Sequence, residues 1–167
     1  CKPFDWDDSR RDQQTLSSRG ARQRLHFAAR GLAYDRLEHR DPVRLARTRM
    51  VVAEVNWLAH AIDPGVAGIL AAAAWAHDIA DTPRTTADGP GLPAFDSARL
   101  ALNAGLPSSV VDLIAFHGGT RFDASTRGAA RRLRTYSPPP QTWLAILNAA
   151  YLSTGPQGQV LAPTHQA

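Results

Sequence analysis

Residues 72–79 read Ala72-Ala73-Ala74-Trp75-Ala76-His77-Asp78-Ile79, closing an apolar run that opens at Val66. The run is shorter than the roughly 18–20 apolar residues needed to cross a bilayer, so it predicts a buried helix over Val66 to Ile79. Adjacent side chains on a helix point about 100° apart, so His77 and Asp78 meet one ligand only near a helix end or with Asp78 bridging. A carboxylate beside so apolar a helix is costly unless it is paired, capped or metal-bound. On the residues alone, such a His-Asp pair is more often structural than catalytic.

Outward from this run, the pattern is helical throughout. Ser17-Ser18 caps a helix reaching about His39, with Leu25, Ala28, Ala29, Leu32 and Leu37 near helical spacing. Asp41-Pro42 opens the next, which turns Leu45, Val51, Val52, Val55 and Leu58 inward and breaks at Asp63-Pro64-Gly65. Beyond the His-Asp pair, Asp81 to Pro93 is rich in proline and reads as a loop. Further helices are predicted over Ala94 to Ala104, Ser108 to Phe116, Ala124 to Arg134 and Gln141 to Leu152. The fold class expected is all-α, a bundle of about six to seven helices over 17–155, with an arm at 1–16 and an irregular tail at 156–167.

Composition narrows the partners. The 167 residues carry a net charge of +4, and a single cysteine, Cys1, excludes an intrachain disulfide and a cysteine-built zinc site. Eighteen of the 19 basic residues are arginine, which reflects GC-rich codon usage. They gather in residues 1–50 and again at Arg121, Arg127, Arg131, Arg132 and Arg134. Such clusters suit phosphate or nucleic acid, but neither is interleaved with aromatics, and solvated helix faces account for them more simply. The residues around Lys2, Asp5, Asp7 and Asp8 lack the apolar segment of a signal peptide, so the expected location is cytoplasmic, with no membrane.

The order of motifs adds to this. The string at 72–79, Asp96-Ser97-Ala98-Arg99, Ala104-Gly105-Leu106-Pro107, Ala115-Phe116-His117, Arg121-Phe122-Asp123-Ala124 and Tyr151-Leu152-Ser153-Thr154-Gly155-Pro156 follow one another along residues 44–160. Together they resemble the HD-domain metal-dependent phosphohydrolases. The resemblance implies a helical bundle holding one or two divalent metals that polarise a phosphate ester and activate water. It assigns metal ligation to His77, Asp78 and His117; Asp78 and Asp81 are the candidate catalytic residues, Asp81 because it follows the His-Asp pair closely enough to face the same cavity. An early histidine of the family falls on Arg47 and a late aspartate on Tyr151. Arginine has no lone pair to give, and tyrosine rarely serves a hard metal.

Three functions follow as expectations. The first is a metal-free, catalytically impaired relative whose pocket binds a phosphate-containing small molecule or a protein partner, with Arg47 paired to Asp78 where the metal was. Arg47, Asp96, Arg121 and Tyr151 are its candidate ligand-binding residues. The second is an active phosphohydrolase with an altered site and a weakly held divalent metal (Mn, Mg, Fe or Zn), completed by Asp81 or Asp96. The third is an Arg-rich module for nucleic acid or protein on the same scaffold. Trp57, Trp143 and the apolar third helix leave a homo-oligomer open.

Overall fold

The computed structural model describes residues 19–80 and 92–155. Along them run α1 (Arg19–Leu37), α2 (Pro42–Ile62), a 3-10 turn (Pro64–Val66), α3 (Ala67–Ala76), α4 (Pro93–Asn103) and α5 (Ser108–Phe116). A second 3-10 turn (His117–Gly119), α6 (Thr120–Thr126), α7 (Ala130–Leu133) and α8 (Gln141–Ser153) complete the order. No strand occurs among the described residues, so the architecture is the all-α bundle that the periodicity predicts. The arm at 1–16, Ser17-Ser18, most of the loop 81–93 and the tail from 156 lie outside the described residues.

α3 is the axis of the bundle. It is apolar all round and packs against α1, α2, α5 and α8. Ala72, Ala73, Ala74 and Ala76 have no exposed surface, and short side chains on every face let the neighbouring backbones come close. The helix is shorter than the predicted Val66 to Ile79: it stops at Ala76, and His77 and Asp78 stand in the turn beyond it. That end is tied down twice. The Ala80 N–H donates to Ser97 Oγ on α4 at 3.2 Å, and Arg44 Nη1 on α2 donates to the Ala80 carbonyl at 2.6 Å.

The flanking helices follow from their sequences. α1 buries Ala21, Leu25, Ala29, Ala33 and Leu37, one residue every turn, while Ala28 faces outward. α2 begins as expected, with Asp41 accepting the Arg44 N–H at 2.9 Å and Pro42 in the first turn. The helix expected over Ala124 to Arg134 is instead two, α6 and α7. Gly128 has φ +72 and the Ala129 N–H returns to the Ala124 carbonyl at 2.8 Å, a closure that ends a helix through a left-handed glycine. Trp143 is buried in the chain's own core, whereas Trp57 is 68% exposed. No described helix is long and apolar enough to cross a membrane.

Candidate functional site

The turn after α3 faces the turn after α5. His77 comes from the first and His117 from the second, and their rings meet edge to face with centroids 5.2 Å apart. Gly118 and Gly119 follow His117 with φ +65 and +82, so the chain reverses at once and leaves room for the Tyr151 ring from α8. Tyr151 packs edge-on against both imidazoles, at 5.6 and 5.5 Å. Arg47, from α2, lays its guanidinium over the Tyr151 ring at 4.5 Å. Four segments far apart in sequence thus converge.

Each imidazole is held the same way. His77 Nδ1 lies 2.7 Å from the Ala74 carbonyl and His117 Nδ1 lies 2.6 Å from the Ile114 carbonyl. A carbonyl only accepts, so both Nδ1 atoms carry hydrogen and donate. Burial lowers the pKa of each ring to about 4, with the neighbouring ring and the Arg47 cation acting in the same sense on His117. Both are neutral near pH 7, and their Nε2 atoms hold lone pairs. His77 Nε2 is buried without a hydrogen-bond partner. An orphaned acceptor in so dry a place costs free energy unless a donor or cation reaches it.

Asp78 is half-buried, and burial raises its pKa against the pull of Arg44, His117 and Arg47. Its ion-pair partner is Arg44, at 3.8 Å, and not the anticipated Arg47. The two arginines lie nearly one turn apart on α2. Arg44 is drawn to Asp41, Asp78 and the Ala80 carbonyl, while Arg47 is turned onto Tyr151.

A cleft of about 180 Å³ opens on this cluster, lined by His77, Asp78, His117, Gly118, Thr120, Asp123, Tyr151 and the start of α4 at Leu92, Pro93 and Ala94. Leu92 offers no side-chain cap to α4, and the first residues of that helix line the cleft. Asp123, Thr120 and the α4 terminus are contributions that periodicity and motif reading did not single out. Asp123 belongs to the motif Arg121-Phe122-Asp123-Ala124, and it is this acid, two residues from Arg121, that lines the cleft.

Asp96 and Arg121 are elsewhere. Asp96 is buried in the first turn of α4, 3.7 Å from both Arg99 and Arg132. It serves the core beneath Phe95 and Tyr136, which stack at 6.0 Å. Arg121 lines a separate apolar cleft with Phe116, Leu133 and Tyr136. Asp81 lies outside the described residues.

Does this donor set fit a metal? The two Nε2 lone pairs do, since a ring that donates Nδ1–H to a carbonyl is oriented as ligating histidines are. The rest does not: Arg47 is a permanent cation, and Tyr151 offers a phenol whose ring lies under that arginine. No group of three or more His, Cys, Asp or Glu side chains placed to hold a metal ion occurs among the described residues. No family model, curated protein or solved structure matches the chain.

Proposed function

We propose that the chain is a degenerate HD-type helical domain whose cleft binds a small phosphate-containing ligand without a resident metal. One observation carries this reading: the guanidinium of Arg47 sits over Tyr151 beside His77 and His117, so a protein cation occupies the neighbourhood in which the resemblance would place a metal. The positive charge of Arg47 and the N-terminal end of α4 at the cleft both favour an anion there. The Asp78 and Asp123 carboxylates that line the cleft oppose one, and Arg44 offsets the first. The cleft has room for a phosphate group and a small substituent, and its open side lets the remainder of a larger ligand extend into solvent.

The orphaned His77 Nε2 gives the binding a signature. A bound phosphate either donates its own hydroxyl to Nε2 or raises the pKa of the ring until it protonates. Proton uptake then accompanies binding, and affinity for inorganic phosphate rises as pH falls from 7 towards 5. Titration calorimetry in two buffers of different ionisation enthalpy reads this directly. Arg47 lies behind Tyr151 and does not line the cleft, so Arg47→Gln is expected to weaken binding severalfold, through the loss of a nearby positive charge. Phosphate binding that neither responds to pH nor to Arg47→Gln would remove the support for this site.

A second reading is favoured by the Nδ1–carbonyl bonds of both histidines: a hydrolase with an altered metal site at His77, Asp78 and His117. Metal analysis of the purified chain separates the two. Near one equivalent of bound metal would sink the metal-free reading. Absence of metal in the wild type, with manganese binding gained by Arg47→His plus Tyr151→Asp, is the outcome expected of an emptied site.

A further inference from the structure

The outer face of α2 carries apolar residues that the bundle does not use. Val43 is 56% exposed, Met50 37% and Trp57 68%, and Ala46 and Ala53 between them are exposed as well. These five positions advance by alternating steps of three and four residues, so they form one stripe along the helix. The stripe lies opposite the face that buries Leu45, Thr48, Val51, Val52, Val55 and Ala59. It is the pattern of a helix that packs against a second helix, with alanines permitting close approach.

Charge specifies the second helix. Arg49 borders the stripe on one edge and Glu54, five residues on, borders it on the other. When two copies of such a helix lie parallel, a residue on the first edge faces the residue five further on along the second edge of its neighbour. Arg49 of each copy then faces Glu54 of the other, twice by symmetry. The ion pairs among the described residues join Arg44 to Asp41 and Asp78, and Asp96 to Arg99 and Arg132, and leave Arg49 and Glu54 unengaged. An antiparallel pair would instead set Glu54 against Arg47, which is turned inward over Tyr151.

We infer that α2 is a self-association surface, pairing in parallel with α2 of a second copy of this chain through the Val43–Met50–Trp57 stripe and reciprocal Arg49–Glu54 ion pairs. The inference is independent of what the cleft binds. One face of one helix is a small interface, so the dimer is weak and depends on concentration.

Sedimentation of the full chain over a concentration series tests it. The wild type is expected to pass from monomer to dimer. Trp57→Glu should hold it monomeric, and because residue 57 is exposed, circular dichroism should be unchanged. Arg49→Glu and Glu54→Arg should each weaken the dimer by about tenfold or more, through two like-charge contacts. The double variant should return to the wild-type constant. A chain that stays monomeric at every concentration overturns the proposal. So does a dimer that ignores Trp57→Glu, or one in which the double charge swap is as weak as the single variants.

Discussion

His77 and His117 are neutral because they are dry, and this makes them a liability in acid. Each has a folded pKa near 4 against 6.5 for an unhindered ring. Between those values the unfolded chain binds more protons than the folded one, so stability falls as pH drops from about 6.5 towards 4. It is fully present above that window. Together the two rings contribute on the order of a few kcal/mol to this loss. Urea denaturation at pH 7 and pH 5 should show the drop, and His117→Gln should make it shallower. Of the residues involved, motif order named His77, Asp78, His117, Arg47 and Tyr151. It failed with Arg44 because Arg44 and Arg47 are three positions apart on one helix, and spacing cannot say which reaches Asp78. Asp96 was ambiguous, because a first-turn acid looks the same in sequence whether it complements its own helix or pairs with a distant Arg132.

The turns around the cleft depend on their glycines and caps. Gly119 has φ +82 with open space around it, so Gly119→Ala meets no neighbour and suffers only from its backbone. The expected cost is about 1–2 kcal/mol, read as a lowered melting temperature with the fold retained. Asp41 both caps α2 and holds Arg44 at 3.1 Å, the arginine that braces Asp78 and the Ala80 carbonyl. Asp41→Ala is expected to cost about 1 kcal/mol through the lost cap. The same variant should loosen phosphate binding, because Arg44 loses its anchor. Element positions were legible from periodicity, proline and glycine. Their ends were less so: α3 ends before His77 because the next residues are held by Ser97 and Arg44, contacts distant in sequence. Gly128 was visible, but only the left-handed backbone it adopts splits α6 from α7.

Across the whole molecule, the close packing around α3 leaves little slack. Ala73 is wholly buried on a helix whose neighbours approach from several sides. Ala73→Leu should therefore cost about 1–3 kcal/mol by overpacking, and Leu147→Ala, a deletion in the same core, about 2–5 kcal/mol. Both are measured by denaturant unfolding. That the chain forms an all-helical bundle could be read from residues alone, since apolar spacing recurs at helical period from Leu25 to Leu147. That α3 is the axis followed from its lack of a polar face. The convergence of Arg47, His77, His117 and Tyr151 has a consequence in the language of the genetic code. Histidine codons differ from the arginine codons CGC and CGT by a single base, and aspartate codons differ from tyrosine codons by a single base. Because the bundle keeps both imidazoles oriented, a lineage that encodes Arg47 by CGC or CGT stands, on the proposed reading, two point mutations from a site that takes up metal. Neither mutation would have to pass through a broken fold.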